Sequence, residues 1–202
     1  MSSTPAHSVE IERKYEVDAA TRLPDFTALP GVVHVDAPEL RELDGQYYDT
    51  ADLALARVRV AVRRRTGGPD EGWHVKAAAA DGKHEWHWPL GEGHDVPADV
   101  AAILAEWTGG PFLPLARIRN RRTAYALRDA GGGVVAEFVD DCVRARNDRA
   151  GSESSWREWE LELGPAAPVD HDAFFAAADA LVAAVGGRVA ASDSKLARAL
   201  SV

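Results

Sequence analysis

Charge falls on every second residue of VEIERKYEV, residues 9–17: Glu10, Glu12, Lys14 and Glu16 alternate with Val9, Ile11, Arg13, Tyr15 and Val17. Period two is the signature of a strand, in which residues i and i+2 share a face about 6.6 Å apart. Residues 156–163 repeat the pattern, with Glu158, Glu160 and Glu162 on one face and Trp159, Leu161 and Leu163 on the other. A fold built from such strands needs an apolar layer against one side of its sheet and a partner for the charge on the other.

The same parity holds along the chain. Arg63 and Arg65 lie opposite Val60 and Val62, Lys76 opposite Val75, and Glu85 and His87 opposite Trp86 and Trp88. Arg122 lies opposite Thr123, Tyr125 and Leu127, while Glu137 and Asp141 share a face with Val139. The expected strands are residues 9–17, 41–48, 58–66, 73–77, 84–90, 117–127, 134–144 and 156–163. TGGPDEG, AADGK and DAGGGV mark the reversals between consecutive strands. Apolar spacing predicts helices near residues 100–107 and 171–185, the latter capped by Asp170 or Asp172. Shorter helical pieces are expected at 18–29, at 53–56 and from about 192. Eight strands and a few helices describe one antiparallel α+β domain spanning residues 1–202, with an ordered core over about 8–200, closed as an eight-stranded barrel with helices packed outside.

Any one charged face has an ordinary explanation as the solvent side of an antiparallel sheet. The faces taken together are different, because Glu and Arg recur in same-sign groups. Like charges about 7 Å apart at an effective dielectric near 20 repel by roughly 2 kcal/mol, so the grouping calls for counterions or ligands. An ionic barrel interior supplies both. Glu10, Glu12, Glu160 and Glu162 would form a cluster of hard oxygen donors suited to Mg²⁺ or Mn²⁺. Arg63, Arg65, Lys76 and Arg122 would cradle an anion carrying several phosphates. Neither GxxxxGK[ST] nor GxGxxG occurs, so no phosphate-binding loop of those kinds is present.

Composition narrows the classes further. The chain has 202 residues, 46% of them hydrophobic, enough for one sizeable core. A net charge of −9 works against nonspecific nucleic-acid binding. No apolar run reaches the roughly 18 residues of a membrane span, the first residues do not read as a signal peptide, and a single cysteine excludes an internal disulfide. A cytoplasmic protein without nucleic-acid or membrane partners is expected, as a monomer or homodimer.

The motifs, taken in order, resemble one family. ExExK at Glu10, Glu12 and Lys14 is followed by QYYDT at 46–50, VRRR at 62–65, Lys76, KxE at Lys83 and Glu85, RRTAY at 121–125, EFVDD at 137–141, ELEL at 160–163 and SKLARAL at 194–200. This order is similar to that of the CYTH superfamily, the triphosphate tunnel metalloenzymes, which include inorganic and thiamine triphosphatases and class IV adenylate cyclases. The resemblance implies an eight-stranded antiparallel tunnel in which basic residues hold a triphosphate and acidic ones hold Mg²⁺ or Mn²⁺. Carried over, it makes Lys14, Arg63, Arg65, Lys76, Arg122 and Lys195 the phosphate contacts and Glu10, Glu12, Asp141, Glu160 and Glu162 the metal ligands. Asp140 remains the alternative to Asp141. Lys14 and Glu85 take catalytic positions, Lys195 belongs to a terminal helix closing one tunnel mouth, and Glu158 extends the glutamate row to the rim.

The expected function is a metal-dependent triphosphatase acting on inorganic triphosphate or a small organic one such as thiamine triphosphate. A cyclase making cyclic AMP from ATP, or a non-catalytic binder of polyphosphate or nucleotide, uses the same tunnel. Outside it, His84 and His87 fall on opposite faces and suit surface roles, Cys142 reads as a small buried side chain, and Arg117, Arg119 and Arg121 share the face opposite Arg122.

Overall fold

The computed structural model describes residues 4–192 and 194–201. Its strands are β1 (Ala6–Glu10), β2 (Glu12–Glu16), β3 (His34–Val35), β4 (Glu39–Asp49), β5 (Val60–Thr66), β6 (Gly72–Ala79), β7 (Gly82–Trp88), β8 (Leu113–Arg128), β9 (Val134–Asn147), β10 (Glu153–Leu163) and β11 (Arg188–Val189). Its helices are α1 (Ala54–Arg57), α2 (Ala98–Leu104), α3 (His171–Ala184) and α4 (Lys195–Leu200). All pairings are antiparallel, in the order β1-β7-β6-β5-β4-β8-β9-β10-β2-β11, with β3 beside β8.

β1 and β2 are separated by Ile11 alone, yet β1 pairs with β7 and β2 with β10, far apart in the strand order. Consecutive residues reach both places only because the sheet is strongly curled, as a half-barrel. Eleven strands therefore stand where eight were expected: the first is divided at Ile11, and β3 and β11 are two-residue additions. The stretch expected to be helical at 18–29 yields only a 3-10 turn at Phe26–Ala28, consistent with Pro24 removing a donor from any continuous helix. The β5–β6 reversal needs glycine, since at Gly67 φ is +79° and a Cβ would lie 2.0 Å from the Glu42 carbonyl oxygen.

The apolar faces have the cover that parity demanded. Tyr15, Phe138, Trp159 and Leu161 pack with Phe174, Phe175, Ala178 and Val182 of α3, whose Asp170 cap accepts from the Ala173 N–H at 2.9 Å. Val62, Trp73, Val75 and Trp88 pack with Val100 and Leu104 of α2. Each large apolar side chain buried in full stabilises the fold by about 1.5–3 kcal/mol relative to exposure. Helices do not all lie outside, however. Leu196 and Ala199 of α4 pack with Tyr47, Ala116, Ile118 and Val143, and Ala116 and Ile118 share the face of Arg122, so α4 sits in the concave side. Cys142 is exposed, correcting the expectation of burial. Among the described residues no helix is long and apolar enough to cross a membrane.

Candidate functional site

Strand alternation brings charged side chains from most of the sheet to one cavity of about 630 Å³. Glu10, Glu12, Lys14, Arg63, Arg65, Lys76, Arg122, Glu160, Glu162 and Lys195 all line it. The two remaining expected residues stand directly behind: Glu85 is paired with Lys76 at 3.6 Å, and Asp141 with Arg122 at 2.7 Å.

At one end, Asp141, Glu158 and Glu160 converge. Lys195 Nζ lies 2.9 Å from Asp141, 2.6 Å from Glu158 and 2.5 Å from Glu160. Arg122 grips Asp141 through Nε–H to Oδ1 at 2.8 Å and Nη2–H to Oδ2 at 2.7 Å, and also donates to Glu160 at 2.8 Å. Lys14 donates to Glu160 as well. Burial favours protonation of Asp141, but Lys195 and Arg122 outweigh it and hold the carboxyl well below the usual range. Asp140 points the other way and pairs with Arg157 at 2.8 Å, so the register places Asp141 in the site.

Glu10 receives Lys76 at 2.5 Å and Glu12 receives Lys83 at 2.6 Å, with Lys14 3.5 Å from Glu12 as well. Burial raises the Glu10 pKa; for Glu12, burial is outweighed by Lys14 and Lys83, and its pKa falls. His74 is 1% exposed and lies between Glu85 Oε1, 2.6 Å from Nδ1, and the Asp70 carbonyl, 2.9 Å from Nε2. Burial, with Arg63 and Arg65 nearby, keeps its pKa far below the ordinary value.

The basic wall is unevenly paired: Arg65 contacts the Asp70 carboxylate, and Lys76, Arg122 and Lys195 have carboxylate partners as well. Among the described residues no carboxylate pairs with Arg63, whose Nη1 donates to the Tyr47 hydroxyl at 3.2 Å. The buried Nε atoms of Arg63 and Arg65 have no acceptor. Burial, together with Arg63 and Arg122, lowers Arg65 to about 9, and burial beside Lys195 lowers Lys14 to about 7. Buried donors without acceptors cost the full desolvation penalty of the group, and here that leaves Arg63 and Arg65 with hydrogen-bonding capacity to spare.

Residues 8–180 match the CYTH domain family. The chain belongs to the CYTH family. It is 40% identical over 172 residues to an uncharacterised Mycobacterium tuberculosis protein, a match covering 79% of this chain and 34% of that one. The aligned part thus spans about a third of the length of that curated relative. A candidate adenylate cyclase from Bacillus halodurans superposes with TM-score 0.65 at 14% identity, over 95% of this chain and 97% of that one. A Hippeastrum protein, considered an adenylyl cyclase candidate and described as having a dominant triphosphatase activity, superposes with TM-score 0.54 at 18% identity, over 95% of each chain. At these identities the structures show the fold alone.

CYTH proteins are metal-dependent, and the donor set of this CYTH domain fits a hard divalent cation: one oxygen from each of Asp141, Glu158 and Glu160 lies within 4.8 Å of the others. The composition of that group differs from the sequence expectation. Glu158, expected at the rim, belongs to this trio; Glu10 and Glu12 pair with Lys76 and Lys83, and Lys14 lies between Glu12, at 3.5 Å, and Glu160. Glu162 stands in register with both Glu12 and Glu137. Burial, Glu10 and Glu12 raise its pKa to about 7. His74, Arg41, Tyr47 and Asn120 of the CYTH cavity were missed. Parity reveals the first, two residues before Lys76, and applying it to 39–49 reveals Arg41 and Tyr47.

Proposed function

We propose that this CYTH domain is a divalent-metal-dependent triphosphatase, hydrolysing inorganic triphosphate or a small organic triphosphate in a charged tunnel closed along Ile11. The observation that carries this reading is the pair of buried, acceptor-less Nε–H groups of Arg63 and Arg65, which line the same cavity as Glu160 of the carboxylate trio. Guanidinium forks match phosphoryl oxygens, and the trio has the chemistry to bind Mg²⁺ or Mn²⁺ through Asp141, Glu158 and Glu160. When bound, the metal neutralises charge on the phosphoryl oxygens of the substrate.

In this reading Arg63, Arg65, Lys76, Arg122 and Lys195 hold the phosphates and stabilise charge on the leaving diphosphate. Glu85, anchored by His74, orients Lys76. Lys14, with its pKa near 7, is the base: water attacks the terminal phosphorus, its proton passes to the Lys14 amine, and the bridging P–O bond breaks. A cyclase built on this site would use the same phosphate contacts, so products decide between the two.

The test is phosphorus NMR of the purified chain with Mn²⁺ or Mg²⁺, offered inorganic triphosphate, thiamine triphosphate and ATP, beside Glu160→Gln. Orthophosphate release that disappears in the variant is expected. Pyrophosphate with cyclic AMP from ATP would replace the reading by the cyclase, and absence of turnover would replace it by the non-catalytic binder.

A further inference from the structure

The convex face of β8 and β9 carries two rows of arginine. Arg117, Arg119 and Arg121 alternate along β8 and Arg144 and Arg146 along β9, all of them exposed. The antiparallel register sets Arg117 directly opposite Arg146, Arg119 opposite Arg144, and Arg121 opposite the exposed Cys142. They point away from the main cavity, since Ile118, Asn120 and Arg122, which line it, take the alternate positions of β8. The helices on the outside of the sheet pack elsewhere, α3 over Phe138 and Trp159 and α2 over Val62, Trp73 and Val75. The arginine rows are therefore an uncovered sheet face.

In a chain of net charge −9 this concentration of one positive residue type stands out, because like charges directly opposite across paired strands are destabilising. Part of the charge is answered within the fold. Asp44 accepts from Arg117 Nε–H at 2.8 Å and Nη2–H at 2.7 Å and from Arg119 Nε–H at 3.0 Å, and Asp148 lies 3.6 Å from Arg146. Glu42 and Glu153 flank the rows, in register with Arg121 and Arg146. Among the described residues, however, neither Arg121 nor Arg144 has a carboxylate partner, so two guanidinium forks at one end of the strip are open.

We infer that this face docks an acidic polypeptide segment in extended conformation, its carboxylates at alternate residues seated between the two arginine rows. Every second residue of an extended chain repeats at about 6.6 Å, which is also the spacing of the arginines within each row. Guanidinium forks match carboxylates, and Asp44 on Arg117 is an example within the same face. The strip is narrow, with rows about 5 Å apart, Glu42 and Asp44 along one side and Glu153 along the other. Duplex nucleic acid, whose major groove alone is about 12 Å wide, would lay phosphates over those carboxylates. Its strands offer arginine, cysteine and carboxylate side chains but no aromatic ring on which the bases of a single strand could stack. Each exposed pair is weak alone, so several must engage together and salt must weaken the complex.

The probe is a fluorescein-labelled peptide with three aspartates at alternate positions and threonine between them, titrated with the full chain at low salt and followed by anisotropy. A peptide of the same composition with adjacent aspartates, inorganic polyphosphate and duplex DNA are compared with it. The proteins are the wild type, Arg144→Glu, Arg121→Ala and, within the main cavity, Arg63→Gln. Arg144 faces Arg119 and holds no carboxylate, so Arg144→Glu is expected to keep its Tm, and Arg121→Ala stands in if it does not. The Kd of the alternating peptide is expected to rise about tenfold in Arg144→Glu and about threefold in Arg121→Ala, to stay within twofold in Arg63→Gln, and to be at least threefold below that of the adjacent-aspartate peptide. Saturating peptide should also slow alkylation of Cys142, the one cysteine of the chain, at least threefold. Absence of saturable binding, equal affinity in Arg144→Glu and Arg121→Ala, or a loss confined to Arg63→Gln overturns the inference. Polyphosphate or DNA that binds more tightly than the peptide and is lost in Arg144→Glu replaces the acidic segment by a phosphate polymer and overturns it as well.

Discussion

The ammonium of Lys195, on a helix in the concave face, rests 2.6 Å from the Glu158 carboxylate at the middle of β10. It is bonded equally closely to Glu160, so a side-chain cation already stands among the three carboxylates suited to a metal. Replacing it with Met removes a unit charge from that position, where the interaction at about 4 Å is worth several kcal/mol at an effective dielectric near 20. Mn²⁺ affinity measured by calorimetry is expected to rise about tenfold in Lys195→Met, with a lower Tm when metal is absent. An unchanged Kd would show that Lys195 and the cation do not compete.

Arg122 is the second support of Asp141, which has no solvent exposure. In Arg122→Gln, Asp141 keeps only Lys195 as a cationic partner, and breaking a buried pair in this way costs about 3 kcal/mol. Urea unfolding should show a midpoint lowered accordingly, with Arg122→Lys recovering less than half of the loss because an ammonium lacks the planar fork. A loss under about 1 kcal/mol in Arg122→Gln would contradict the geometry.

Glu162 gives stability a pH dependence that can be signed. Its folded pKa, about 7, lies above the ordinary value of 4.5, so between these values the folded state binds more protons. Stability from this group falls as pH rises from about 4.5 to 7. Glu162→Gln is expected to be more stable than the wild type at pH 8 by on the order of 1 kcal/mol, about 2–4 °C in Tm, with the advantage gone at pH 4. A difference independent of pH would reject the assignment.

Lys14 works in the opposite direction. Its folded pKa near 7 lies below 10.5, so it is increasingly neutral as pH passes 7, and stability from this group rises between those values. If Lys14 takes the proton of water, kcat for triphosphate should climb about tenfold from pH 6 to 8 and the climb should vanish in Lys14→Met. A profile unaltered by the substitution would remove Lys14 from that role.

Most of the wall of this site was legible in the sequence, because strand parity is local. Once residues 156–163 are extended, Glu158, Glu160 and Glu162 must share a face, whatever the rest of the chain does. The same rule separated Arg63 and Arg65 from Val60 and Val62, and it favoured Asp141, which the structure buries against Arg122 and Lys195 while Asp140 turns to Arg157. Alternation cannot say which strand's charges meet. The grouping of Glu158 with Asp141 follows from the β9–β10 register, the pairing of Glu10 and Glu12 with Lys76 and Lys83 from contacts across the curled sheet, and the arrival of Lys195 from the packing of Leu196 and Ala199 inside the sheet. The sequence by itself determined which faces are charged; the curl of the sheet and the placement of α4 decided which charges became partners, because ion pairing depends on separations of a few ångströms between residues far apart in the chain.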